Sequence, residues 1–360
     1  MLLMLGWLVG LAVSAFGISV PNLNPILPIF GTLGLILIVL EGSLELEINK
    51  SKLPLIRKTS LMALLPILLL SFTFAFILQY FTNADFKICL SNAIPLAIIS
   101  SAVAIPSTYN LPLSSREFVT YESSLSDIFG VILFNFVTLN DNLGVGSIGG
   151  FLLELLFILL VTFAATLLLA FLLNKIRHHV KYVPIIIMIF LIYALSKLYH
   201  LPGLIFILLF GIFLSNLDEL KGFKAIRHLR PDVLNREVKK LKDLTIEITF
   251  LIRALFFLLF GFLIETSELL NAQTSVWAIG ITGAIFLLRF VLLKLLSLPA
   301  RPLGFIAPRG LITILLFLSI PLSQRIDIVN KSLILQVIIL TALVMTAGLL
   351  TAKRDTKAEV

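Results

Sequence analysis

Asp127 closes the stretch Tyr121-Glu122-Ser123-Ser124-Leu125-Ser126-Asp127, inside an apolar run over residues 115–138. It lies about twelve residues from either end of that run, beyond the reach of a short side chain at ~1.5 Å of rise per residue. Ser123 and Ser124 stand one turn earlier and share its face. A carboxylate among hydroxyls offers oxygen ligands to a hard monovalent cation. In surroundings of low polarity a proton competes with that cation for the same carboxylate. The alternative is a protonated aspartic acid making a structural hydrogen bond between helices.

Other ionisable groups also fall in apolar runs, where each needs a partner or a pathway. Glu122 precedes Asp127 by five residues and points ~140° away from it. Arg289, mid-way along 274–297, needs a counter-charge, so Glu122 and Arg289 make a sensible buried ion pair supporting the site. Glu41, in Val39-Leu40-Glu41-Gly42-Ser43-Leu44, reads equally as a gate, a third ion contact or the partner of an arginine. Glu154 and Lys294 lie near segment ends, where long side chains reach the interface. For Arg253, snorkelling and function are both open.

Two apolar runs contain helix breakers. One reads Ile98-Ile99-Ser100-Ser101-Ala102-Val103-Ala104-Ile105-Pro106-Ser107, and the other opens Ala307-Pro308-Arg309-Gly310-Leu311. Interrupted backbone is tolerated at depth only where it lines a cavity or the protein interior. The two runs are an odd number of segments apart and would cross the bilayer in opposite directions. Such a pair points to a transporter with an inverted repeat and a site at the midplane.

The elements that position these residues follow from composition. The 360 residues are 59% hydrophobic and 13% charged, and mean hydropathy is +1.08. A soluble domain is about 25% charged. Twelve apolar segments can be marked, at 3–20, 25–47, 59–81, 88–107, 115–138, 147–173, 181–199, 201–216, 244–265, 274–297, 304–323 and 332–351. Many reach the ~18–20 residues that span a bilayer core. The reading is an all-α polytopic membrane protein of about 12 transmembrane helices.

Several function classes fall away. One cysteine, Cys89, rules out a disulfide framework or a cysteine-rich metal module, and the four histidines have no metal-binding spacing. Intramembrane proteolysis lacks a histidine at depth, a zinc set or paired aspartates, so an enzyme is not expected, and neither is a cofactor. The net charge of +8 belongs to membrane topology and not to nucleic acid. Lysines and arginines gather in the loops holding Lys50–Lys58 and Lys175–Lys181, in the connector 217–243 and in the tail after 351, which places those loops and both termini in the cytoplasm. The connector reads as an interfacial helix on anionic lipid. The chain is expected to end about ten residues after its last helix with no appended soluble domain.

At these motifs the sequence resembles the cation:proton antiporter superfamily, and within it bacterial sodium/proton antiporters of the NhaP type. Their Glu-Ser-Leu-Leu-Asn-Asp stretch is similar to Glu122-Ser123-Ser124-Leu125-Ser126-Asp127, their Phe-Glu-Gly-Gly-Leu to Leu40-Glu41-Gly42-Ser43-Leu44, and their Pro-Arg-Gly to Pro308-Arg309-Gly310. The resemblance implies an ion- and proton-binding set of Asp127, Ser126, Ser101, Ser100, Glu41 and Ser123. It pairs Glu122 with Arg289 and assigns Pro106, Pro308, Arg309 and Gly310 to the broken helices. The implied fold has two inverted repeats with crossing broken helices: an exchanger domain over 1–355, a first repeat over 1–138 lacking its first helix, a linker helix at 147–173 and a second repeat over 181–351.

The implied activity is electroneutral exchange of a monovalent cation, Na⁺ or K⁺, for H⁺ by a homodimer in membrane lipid, in a bacterial inner membrane. Ser100-Ser101 stands where the type carries Thr-Asp, as in the Kef-like branch, so a K⁺/H⁺ exchanger or K⁺ efflux protein is the alternative. A non-transporting scaffold homologue is a further one.

Overall fold

The computed structural model describes residues 2–17, 26–46, 51–140, 203–216 and 231–358, with scattered positions elsewhere. Every regular element among them is helical. In chain order these are α1 (Leu2–Ala15), α2 (Ile26–Glu45), α3 (Leu53–Thr82), α4 (Phe86–Ala97), α5 (Ser101–Ser107), α6 (Leu113–Leu139), α7 (Gly203–Ser215), α8 (Pro231–Phe262), α9 (Ala272–Leu295), α10 (Leu311–Ser319) and α11 (Lys331–Ala358). Short turns of helix lie at Thr266–Leu269, Leu303–Phe305 and Leu322–Gln324.

Six stretches among the described residues are long and apolar enough to cross a membrane: Leu53–Thr82, Phe86–Ser107, Leu113–Leu139, Val238–Phe262, Ala272–Leu295 and Lys331–Thr351. Their outer faces carry large apolar side chains. On α9, Val276, Leu287 and Leu295 are at least 70% exposed, while Ile281, Ile285, Arg289 and Leu292 face inward. A face of that kind is stable only against lipid hydrocarbon. The chain is an integral membrane protein.

The chain divides into two units, one of residues 1–33, 57–137 and 252–360, the other of 34–56 and 138–251. In the first, α1 crosses the end of α8 at backbone contact: a side chain at Gly6 would strike the Leu258 carbonyl, and one at Gly261 the Leu3 carbonyl. Small residues of this kind let membrane helices approach. Helices α9 and α11 pack along one another, and Gln336 Nε2 donates to Leu269 O, Asn271 O and Ser275 Oγ at 3.0–3.2 Å, tying α11 to the start of α9.

In the second unit, α7 is buried along most of its length. Its end is fastened to the end of α2, where Ser215 Oγ and Asn216 Nδ2 donate to Leu46 O at 2.9 and 2.8 Å.

Several expected boundaries shift. Helix α3 starts at Leu53, so Arg57 and Lys58 are helical and not in a loop. Helix α8 starts at Pro231, so the later part of the connector 217–243 is the beginning of the helix expected at 244–265, and the earlier part lies outside the described residues. Helix α11 runs on to Ala358, through the expected tail. The expected segments at 147–173 and 181–199 lie outside the described residues apart from scattered positions.

Candidate functional site

The first broken run is helical over Phe86–Ala97, non-helical over 98–100, and helical again over Ser101–Ser107. The sequence reading assigns Pro106 to this broken helix without placing the break. Pro106 sits inside α5, and the break falls upstream of it. The second broken run is a turn at Leu303–Phe305, non-helical backbone through 306–310, and then α10.

Each break frees backbone groups that cannot be left bare at depth, and the two breaks satisfy one another. Ser100 N donates to Pro308 O at 3.0 Å. The C-terminal carbonyls of α4 are capped by Arg309, whose Nε donates to Leu96 O at 2.7 Å and whose Nη2 donates to Ala97 O at 3.1 Å. Its Nη1 donates to Ala307 O at 3.1 Å, and its own N–H to Thr341 Oγ1 of α11 at 3.1 Å. A cation at a helix C-terminus also meets the negative end of the helix dipole. Arg309 is only 1% exposed.

Gly310 is where the segments come closest. A Cβ there would lie 2.8 Å from Ser100 Oγ and 2.9 Å from Val103 Cγ2. The Pro-Arg-Gly sequence thus divides the work: a carbonyl acceptor, a cap and a gap.

Helix α6 meets the first break from the side. Ile99 N donates to Ser126 Oγ at 3.0 Å, and Ser101 N donates to Asp127 Oδ2 at 3.3 Å. The Ser101 hydroxyl donates to the same oxygen in a very short contact. Asp127 is 4% exposed, and Ser100, Ser101 and Ser126 are buried around it. The hydroxyl of Ser100 has no hydrogen-bond partner among the described residues, and neither has that of Ser124.

The structure therefore brings Asp127, Ser101, Ser126 and Ser100 together with Pro308, Arg309 and Gly310. Ser123 is buried, but its hydroxyl donates back to Val119 O at 2.7 Å within α6. Glu41 is half-buried and belongs to the other unit. One turn from the site, Glu122 and Arg289 form a two-pronged pair at 2.7 and 2.9 Å, both side chains at most 2% exposed. Arg289 Nε donates to Leu303 O at 2.7 Å, so the pair also holds the turn that leads into the second break.

Asn92 was not singled out in the sequence. Its Nδ2 donates to Gln324 O at 2.8 Å, and its Oδ1 accepts from Ile326 N at 3.3 Å, fixing α4 to the segment after α10. An amide inside the apolar run 88–107 was the available signal.

A buried carboxylate at the meeting of two broken membrane segments is the architecture of a secondary transporter. The family model for the sodium/hydrogen exchanger transmembrane domain matches residues 1–352, and the chain belongs to that family, one of transporters and not of enzymes.

Two solved structures of the sodium proton antiporter MjNhaP1 from Methanocaldococcus jannaschii share the fold. One, at pH 8, has a TM-score of 0.61 at 16% identity, covering 98% of this chain and 94% of that one. The other, from electron microscopy, has a TM-score of 0.63 at 18% identity, covering 98% and 89%. No curated protein matches the sequence.

Proposed function

We propose that this chain exchanges a monovalent cation, Na⁺ first, for H⁺ at Asp127 by alternating access. The observation that carries the reading is Asp127 itself: a buried carboxylate on an intact helix, held by the amide and hydroxyl of Ser101 on a broken one. A neutral hydroxyl can turn to donate to the carboxylate or to present its lone pairs to a cation beside it. Ser100 and Ser126 complete the proposed oxygen set, with Ser123 and Glu41 as further contacts. The name of the structural relative, a sodium proton antiporter, supports sodium.

One carboxylate that is either protonated or cation-bound gives one cation per proton. Such exchange moves no net charge and ignores a membrane potential worth ~2.3 kcal/mol per charge per 100 mV. A core bundle of the segments at 88–107, 115–138, 274–297 and 304–323 moves, in this proposal, against a dimerising scaffold. About twelve helices in two inverted repeats span a bacterial inner membrane, with both termini cytoplasmic. A second reading, K⁺/H⁺ exchange or K⁺ efflux, is favoured by Ser100-Ser101 in place of a Thr-Asp pair.

The test is dye-reported proton flux in everted vesicles from cells lacking their own antiporters, with Na⁺, Li⁺ or K⁺ added to wild type and Asp127→Asn. Cation-driven alkalinisation in wild type alone, with the variant inserted normally, is the expected result. Response to K⁺ only selects the second reading. Exchange retained in Asp127→Asn refutes the site, and silence towards every cation from inserted wild type leaves a non-transporting scaffold.

A further inference from the structure

Arg253 lies on α8. Its Nη1 donates to Ala102 O at 3.3 Å, and its side chain is half-buried, so it faces the bundle and does not simply reach for the interface. Ala102 is the second residue of α5 and follows Ser101 directly. In an intact helix its carbonyl would receive the N–H of the residue four positions on. That residue is Pro106, which has no N–H to give. The guanidinium supplies the donor that the proline withholds.

The placement has a consequence for Asp127. The Ala102 carbonyl is one residue from Ser101, whose amide and hydroxyl both donate to Asp127 Oδ2. Helix α5 has only seven residues. A helix that short does not hold its own geometry and takes it from its neighbours. Its first turn is made by Val103 N and Ala104 N donating to Ser100 O, at 3.2 and 2.9 Å. A shift of Ala102 therefore moves the whole donor end of α5.

We infer that Arg253 is a positioning residue for the ion site: it clamps the carbonyl freed by Pro106 and so holds Ser101 against Asp127. The role rests on Asp127 being the exchanging carboxylate. Pro106 and Arg253 then form one device, in which a helix-borne proline creates an acceptor that only a second helix can fill. The boundary between the two units falls within α8, between Leu251 and Ile252, so the clamp acts from the first turn of the part belonging with the crossing.

Initial exchange rates against Na⁺ concentration in proteoliposomes test it, for wild type, Arg253→Met, Arg253→Lys, Pro106→Ala and the double variant Pro106→Ala/Arg253→Met. Losing one charge-assisted hydrogen bond that acts on binding raises the half-saturating Na⁺ concentration of Arg253→Met by about tenfold to a hundredfold. The maximal rate per inserted protein stays near wild type. Arg253→Lys, which keeps a charged donor, recovers part of the affinity. Pro106→Ala returns an N–H to Ala102 O and makes the clamp dispensable, so the double variant behaves like Pro106→Ala alone.

A defect of the same size with and without Pro106 overturns the inference, as does a fall in maximal rate with unchanged half-saturation. A lowered half-saturation in Arg253→Met also overturns it, since the arginine would then act as a repelling charge. Amide deuterium exchange at Val103 and Ala104 reads the clamp without transport. Arg253→Met speeds that exchange, and Pro106→Ala suppresses the change. Should wild type move no cation, the proposed function fails, while the deuterium result still decides whether the clamp exists. Unchanged deuterium uptake in Arg253→Met rejects it.

Discussion

Glu122 and Asp127 sit five residues apart on α6, both buried, and are held in opposite ways. Glu122 is gripped through both oxygens by the Arg289 fork, at 2.7 and 2.9 Å. Asp127 receives the neutral amide and hydroxyl of Ser101. A bidentate guanidinium matches a carboxylate in charge and in geometry, and that carboxylate gains nothing by exchanging its partner. Hydroxyl and amide donors supply hydrogen bonds without themselves supplying a charge, as the proposed exchange at Asp127 requires. On the proposed function, one helix thus carries a locked acid and an exchangeable one, and the difference lies in what the facing element offers.

Removing the lock has the largest expected effect. Arg289→Met leaves Glu122 charged and bare in the bundle, and breaking a buried pair from one side costs about 3–5 kcal/mol. Thermal unfolding of the purified protein should show a large loss, and Glu122→Gln/Arg289→Met a smaller one than either single change. Losses that simply add would mean that the two groups are not coupled.

The gap at the crossing comes next. Gly310→Ala puts a methyl 2.8 Å from Ser100 Oγ and 2.9 Å from Val103 Cγ2. Overpacking of that kind costs about 1–3 kcal/mol. The Na⁺ dependence of exchange should weaken with it, because Ser100 adjoins Ser101, and Ser100→Gly should restore part of both. Wild-type stability and affinity in Gly310→Ala would show that the segments separate without consequence.

The smallest effect sharpens the exchangeable side. Ser101→Ala removes the hydroxyl but keeps the amide, a loss of about 0.5–1.5 kcal/mol in binding. That corresponds to a rise of about twofold to tenfold in half-saturating Na⁺ with exchange still present. Complete loss of exchange in Ser101→Ala would mean that the hydroxyl does more than help hold the cation.

Much of this was legible beforehand. An aspartate deep in an apolar run has few structural uses, and the five-residue offset from Glu122 to Asp127 already points their side chains to different neighbours. Arg289 was identifiable as the partner because a mid-membrane guanidinium needs an anion. Arg309 was legible as part of a motif but not in its role, because its main partners, Leu96 O and Ala97 O, are backbone atoms more than two hundred positions away. Backbone carbonyls look alike in every sequence. The exact place of the first break was not legible for a related reason: Pro106 is a strong breaker locally, yet a proline in so short a helix is accommodated when another side chain serves the carbonyl it frees.

The sequence by itself determined the solvent and the acids and bases that lipid would reject, because these depend on side-chain chemistry alone. Only the tertiary structure decided where the backbone opens, at 98–100 and 306–310, and which distant groups meet the atoms freed there. A break persists where distant groups satisfy the atoms it frees.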